Sequence, residues 1–202
     1  CPDCGEPLLV CATKKKRVFY PEETLTIQKF RDFLPLRKID PHLSLGEGKT
    51  PFLELGRLMT KYGFPRLLAK NETGNPTASF KDRGTVVAVQ KAVSLGIKKI
   101  GTISTGNMAA STAAYAAKAG LPSVIFIKED TSREKIISAG IYGSTVLKVR
   151  GDYGRLFRKS FEIGRKRRVY FMNSVDPFRI EGYKVTGYEI FLQLDSRVPD
   201  FI

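Results

Sequence analysis

From Lys99 onward the chain alternates between short apolar runs and longer stretches of helical periodicity, and this alternation restricts the possible folds more than any other feature. Strands are expected at Lys99–Ile103, Ser123–Ile127, Thr145–Val149 and Val169–Met172, with helices at Met108–Ala119, Ser132–Ala139 and about Tyr153–Arg168. Strands that alternate with helices build parallel βαβ units with right-handed crossovers, and such sheets place their sites at the carboxyl ends of the strands. Thr131 followed three residues later by Glu134 has the spacing of a capping box for the second helix. No internal repeat or low-complexity segment interrupts the pattern. The fold class is therefore α/β, with parallel twisted sheets flanked by helices.

Upstream of this alternation, Asn75-Pro76-Thr77-Ala78-Ser79-Phe80-Lys81-Asp82-Arg83-Gly84 places a lysine where a turn becomes a helix. Lys70 to Pro76 is turn chemistry, and Asp82 to Leu95 reads helical, with Val86, Val89, Ala92 and Val93 at three- to four-residue spacing. A cation at a helix N-terminus opposes the helix dipole, and desolvation penalises its charge further, so the Lys81 amine should release its proton readily. A neutral amine is a nucleophile, and its commonest metabolic use is covalent attachment of an aldehyde such as pyridoxal phosphate. For a lone lysine the competing reading is a solvated side chain in a salt bridge with Asp82.

The string PTASFKDRG resembles the cofactor-lysine signature of the fold-type II pyridoxal-phosphate enzymes, and within them that of the threonine synthase family. Those enzymes usually carry glycine where Ala78 stands, so position 78 is expected to accept a negative φ. Gly46-Glu47-Gly48-Lys49-Thr50-Pro51 is similar to the GEGxTP segment that opens the catalytic domain in the same family. It is not a phosphate-binding P-loop: Leu43 stands where that motif needs glycine, and Pro51 removes a backbone donor where the helix should begin.

Two of the expected strand ends carry candidate chemistry. Ser104-Thr105-Gly106-Asn107-Met108 turns a strand directly into a helix, and the free N–H groups of such a turn suit a carboxylate. A plain helix cap with an alanine-rich packing face is the alternative. The resemblance implies that Ser104, Thr105 and Gly106 bind the substrate α-carboxylate, and that Asn107, with Phe80 and Lys81, binds the cofactor. Met108 stands where the family often has threonine. At the second end, Asn173-Ser174-Val175-Asp176-Pro177-Phe178-Arg179-Ile180-Glu181-Gly182-Tyr183-Lys184, Asp176 and Pro177 form an N-cap and first-turn pair. In the family the matching segment meets the substrate's phosphate, which implicates Ser174 and Arg179 with support from Lys184. Arginine suits a dianion because its fork bonds two oxygens at once.

The 202 residues carry a net charge of +14, spread along the chain except for the runs Lys14–Arg17 and Arg165–Arg168. Such a charge fits nucleic-acid binding, an anionic substrate or a lysine-rich surface, and no nucleic-acid motif accompanies it. There is no signal peptide and no apolar run of membrane-spanning length, so a cytoplasmic protein is expected. The lone His42, in loop context after Asp40-Pro41, reads as structural. Cys1 and Cys4 have the spacing of half a zinc knuckle, and Cys11 alone cannot complete four ligands. A partial zinc ribbon, free thiols and a disulfide remain open, the last disfavoured by a reducing compartment.

The resemblance implies four regions: a partial zinc-ribbon-like segment (1–20), an arm and the first part of a large domain with the cofactor lysine (21–85), a smaller α/β domain (86–175) and a return to the large domain (176–202). It implies further that the chain is incomplete, since the family continues to a glycine-rich cofactor-phosphate loop and a group facing the pyridine nitrogen. The implied activity is conversion of O-phospho-L-homoserine and water to L-threonine and phosphate, by a homodimer whose partner is a small phosphorylated amino acid, with no nucleic acid or membrane partner. The alternatives are a threonine or serine dehydratase, a synthase using O-phosphoserine, or a basic RNA-binding module.

Overall fold

The computed structural model describes residues 4, 6–11 and 24–202, apart from the side chains of Glu134 and Lys135. A short helix α1 (Thr26–Lys29) and two 3-10 turns lead into strand β1 (Phe52–Glu54), helix α2 (Gly56–Tyr62) and strand β2 (Leu68–Lys70). Then follow α3 (Lys81–Ser94), β3 (Ile100–Ile103), α4 (Asn107–Lys118), β4 (Ser123–Lys128), α5 (Arg133–Gly140), β5 (Thr145–Val149), α6 (Tyr153–Arg167), β6 (Tyr170–Phe171) and α7 (Pro177–Gln193).

Four strands form a wholly parallel sheet in the order β5-β4-β3-β6, as the alternation predicts. Ile100 lies opposite both Ser123 on β4 and Tyr170 on β6. Every residue of the inner strand β3 is buried, as expected for a parallel strand covered by helices on both faces. The antiparallel pairing of β1 with β2, Phe52 opposite Lys70, was not expected. Each of these strands has three residues, too few for alternation to declare itself.

Helix boundaries follow their caps. The Asp152 carboxylate accepts from the Arg155 amide at the start of α6, and Asp176 accepts from the Arg179 amide at 2.9 Å, with Pro177 in the first turn of α7. The capping box at Thr131 does not form. The Thr131 amide instead closes a turn onto the Lys128 carbonyl, so α5 begins one residue later, after Ser132. Glu134 then falls one position short of the N3 site that a capping box requires. Among the described residues the buried Thr131 hydroxyl has no partner.

Helix α3 is not amphipathic in the simple sense its valines suggest. It is buried continuously from Asp82 to Gln90, while Val93 is 40% exposed. The cause is that α3 packs against both α4 and α7. The contact with α7 is close: a β-carbon on Gly84 would lie 2.8 Å from the Arg179 carbonyl oxygen and 2.5 Å from the Tyr183 ring.

Beside that crossing, the Arg83 guanidinium meets Glu72 at 2.6 Å, Glu189 at 2.8 Å and the Thr50 hydroxyl at 3.0 Å. Glu189 also takes Lys70 at 2.9 Å and the Lys49 amide at 2.7 Å. Burial pushes the Glu189 carboxyl up, but hydrogen bonds and charge from Arg83, with Lys70 and the Lys49 amide, outweigh it and hold its pKa at about 2. This cluster ties α3 and α7 to the loop before β1. The same loop is anchored by Glu47, a buried carboxylate that accepts from the Ser44 hydroxyl, the Leu45 amide and, at 2.6 Å, the Tyr115 hydroxyl of α4. Gly48 (φ 94) lies so near Thr26 that a β-carbon would come within 2.3 Å of its hydroxyl, which accounts for the second glycine of the GEGKTP segment.

Candidate active site

Lys81 is the first residue of α3, as its sequence context predicts. Asp82 does not pair with it. That carboxylate is fully buried and accepts from the Thr77 amide at 2.7 Å and the Thr77 hydroxyl at 2.6 Å, closing the turn that delivers the lysine. The turn carries a correction: Ala78 adopts φ 55, in the left-handed region, and not the negative φ expected from the absence of glycine. The chain reverses here because the Ala78 amide bonds back to Asn75 while Thr77 is drawn forward to Asp82. An alanine in this conformation carries strain of about 1–2 kcal/mol.

The Lys81 amine is half-buried, 4.0 Å from the Phe80 ring centroid and 5.5 Å from that of Tyr183. No carboxylate pairs with it among the described residues. Burial lowers its pKa, and the nearby Arg179 guanidinium lowers it further. Both effects favour the neutral, nucleophilic amine.

Two strand ends and two further helix starts lie next to this lysine. Helix α4 packs beside the first turn of α3 through the Ser111 hydroxyl, which meets the Thr85 hydroxyl at 2.7 Å, while Thr85 bonds back to the Lys81 carbonyl at 2.9 Å. Ser104 and Thr105 are partly exposed, Gly106 and Asn107 exposed, and Gly106 occupies the N-cap of α4 without a side-chain cap. The Asn107 and Met108 amides donate to no protein acceptor among the described residues, which leaves an anion-ready helix start. Met108 turns away from this opening: it is buried, with its sulfur 3.9 Å from the Thr85 hydroxyl. Position 108 thus contributes packing from its side chain and only its amide to the opening.

At the end of β6 the Asn173 side chain accepts from the Ile103 amide at 3.2 Å and donates to Ser160 at 2.9 Å, which locks the ends of β3 and β6 together. Arg179 is 3% exposed, and its Nη1 donates to the Met172 carbonyl at 2.7 Å. Ser174 is exposed, and Lys184, also exposed, pairs with Glu181 at 2.6 Å. The structure therefore brings Lys81, Phe80 and Arg179 together and sets the Ser104–Asn107 turn beside them. No hydrogen bond or ion pair joins Lys184 to Arg179 among the described residues. Sequence reasoning passed over Tyr183, whose position four residues after Arg179, one helical turn, was the available signal.

His42 is exposed in a 3-10 turn, its amide bonded to Asp40. Cys1 lies outside the described residues; Cys4 and Cys11 are exposed free thiols. The described residues contain no cluster of three or more metal-ligating side chains. No described helix is long and apolar enough to cross a membrane.

These residues fit pyridoxal phosphate at one end, where an amine with lowered proton affinity stands free of carboxylates beside unpaired helix-start N–H groups. The sequence profile of pyridoxal-phosphate dependent enzymes matches residues 43–202, and the chain belongs to that family. Within it, the chain is 37% identical over 175 residues to threonine synthase of Methanocaldococcus jannaschii, covering 86% of this chain and 43% of that one. It is 41% identical over 177 residues to threonine synthase of Halalkalibacterium halodurans, covering 87% and 49%. The chain thus spans about half the length of these relatives or slightly less. Among solved structures, a threonine deaminase from T.th. superposes with a TM-score of 0.63 at 27% identity, over 73% of this chain and 47% of that one.

Proposed function

We propose that the full-length protein removes phosphate from O-phospho-L-homoserine and adds water to give L-threonine. The observation that carries this reading is a helix-start amine set beside a buried guanidinium: Arg179 bonds the Tyr183 hydroxyl, the Tyr183 ring centroid is 5.5 Å from Lys81 Nζ, and Arg179 is anchored at a strand end where ligands bind in such sheets. The identity to threonine synthases supports the same choice.

Pyridoxal phosphate, when held by Lys81, supplies an electron sink for charge developing on the substrate carbons. The Lys81 amine, free once the substrate's own amine has taken its place, would be the base that moves protons at the α- and β-carbons. Phe80 and Asn107 contact the cofactor, and Ser104, Thr105 and Gly106, with the unpaired amides of α4, hold the α-carboxylate. Arg179 and Ser174 hold the phosphate that leaves from the γ-carbon, supported by Lys184, and water adds at the β-carbon. The reading extends to a cytosolic homodimer, and to zinc on a knuckle that includes Cys1 and Cys4, which metal analysis of the full-length protein checks.

The likeness to threonine deaminase favours one second reading, a dehydratase acting on threonine or serine. The two separate on phosphate. Inorganic phosphate release by the complete protein is compared for O-phospho-L-homoserine and O-phosphoserine, and deamination for threonine and serine. O-phospho-L-homoserine is expected to be turned over fastest. Deamination of threonine or serine without phosphate release moves the protein to the dehydratases, and a preference for O-phosphoserine moves it to the synthases that use that substrate.

A further inference from the structure

The phenol of Tyr183 lies between two cationic side chains. Its oxygen accepts from Arg179 Nε at 3.1 Å and also from Nη2, while its ring centroid is 5.5 Å from Lys81 Nζ. The ring cannot swing toward α3, because it already rests on Gly84, and it is braced by the Phe80 ring at 5.1 Å. Arg179 is held from its other side by the Met172 carbonyl at 2.7 Å. Burial raises the phenol's pKa against the opposing pull of Arg179, so the hydroxyl keeps its proton at neutral pH.

A hydroxyl that accepts from a guanidinium still has its own O–H to give. No protein group takes the Tyr183 proton among the described residues. The Arg179 guanidinium is likewise not saturated: its bonds to Tyr183 and Met172 use Nε, one N–H of Nη1 and one of Nη2, and the second N–H of each terminal nitrogen is left. A planar carboxylate is fully matched by one arginine fork, whereas a phosphate group presents three terminal oxygens and has capacity for a further donor.

We propose that Tyr183 is a specificity-determining residue whose phenolic proton, with the remaining N–H groups of Arg179, forms one donor set for the phosphate group of the substrate. Tyr183 orients the guanidinium and contacts a phosphate oxygen itself. The proposal rests on the reading of Arg179 as the residue that meets that phosphate.

The test uses the full-length, cofactor-loaded enzyme and its Tyr183→Phe variant, which keeps the ring on Gly84 and against Phe80 and removes only the hydroxyl. Inorganic phosphate is the binding probe, measured by calorimetry, and L-homoserine, which lacks the phosphate, is the control. A lost charge-assisted hydrogen bond should raise the Kd for inorganic phosphate, and the KM for O-phospho-L-homoserine, by about tenfold or more. Binding of L-homoserine should stay within about twofold of the parent. Equal phosphate affinity in parent and variant overturns the proposal, and so does an equal loss of affinity for L-homoserine, which would mark Tyr183 as packing alone. A parent enzyme that binds phosphate through the Tyr183 hydroxyl without releasing it from O-phospho-L-homoserine overturns the reaction and leaves the anion site standing.

Discussion

Gly182 rests directly on the backbone of Arg83: a β-carbon built on the glycine would lie 2.3 Å from the Arg83 carbonyl oxygen and 2.8 Å from the Gly84 Cα. Glycine inside a helix costs about 1 kcal/mol relative to alanine, so α7 gives up helical stability for this approach. The crossing in turn sets where Arg179 and Tyr183 stand relative to Lys81. Gly182→Ala should destabilise the protein by about 3 kcal/mol or more in denaturant unfolding, despite alanine's better helix propensity. A variant as stable as the parent would show that the two helices do not meet this closely.

Ala78 presents the opposite case, a side chain where the backbone favours none. At φ 55, removing its methyl group relieves left-handed strain but loosens the unfolded chain, so the two terms partly offset. Ala78→Gly is expected to raise unfolding stability by about 0.5–1 kcal/mol, and Ala78→Val, whose branched side chain fits that region poorly, to lower it by more than that. Equal stability in all three proteins would rule out the left-handed turn.

Lys81→Ala should abolish covalent attachment of pyridoxal phosphate and turnover, read as loss of the visible absorption band of the full-length protein. The cost to the fold should be below about 1 kcal/mol, because the amine is half-buried and makes no ion pair among the described residues. Retention of both the band and the activity would remove Lys81 from the mechanism.

Acid should expose the buried ion cluster. The Glu189 carboxyl titrates at about 2 in the folded protein against an ordinary 4.5, so the folded state binds fewer protons than the unfolded chain between those values. Its contribution is complete above about pH 4.5, is lost as the pH falls toward about 2, and amounts to about 3 kcal/mol. Glu72, lowered once Arg83 and Thr50 outweigh its burial, acts in the same direction. Glu47 and Asp176, raised by burial, act in the other and soften the acid loss. Glu189→Gln should be several kcal/mol less stable at pH 7, since Arg83 loses a buried charge partner, yet depend less on pH between about 4.5 and 2. Urea unfolding at pH 7, 4.5 and 3 checks this, and parallel acid losses in parent and variant would place the dependence elsewhere.

What the sequence announced and what it concealed divide along physical lines. The strand-helix alternation after Lys99 was legible because α4, α5 and α6 are long enough to show their period and so set off the short apolar runs between them, and Asp176-Pro177 because a capping carboxylate acts within one turn. The position of Lys81 at a helix start was legible for the same local reason. The conformation of Ala78 was not, since it is imposed by two hydrogen bonds that pull its neighbours in opposite directions. Nor was the pairing of Arg83 with Glu189, because nothing in either residue's neighbourhood names a partner 106 positions away. Tyr183 falls between the two cases: its spacing from Arg179 is local, but its meaning depends on Lys81 lying across the helix crossing.

That distant pairing also sets a timetable for synthesis. Arg83 leaves the ribosome soon after Glu72 and Thr50, but Glu189 follows 106 residues later, an interval of roughly 5–20 s at ordinary translation rates. Throughout it the arginine that α3 must bury has only one of its two carboxylates, and the glycine face that α7 will cover stays open to water. Lys81, at the head of the same helix, is thus made early and set in place late, when α7 closes over α3.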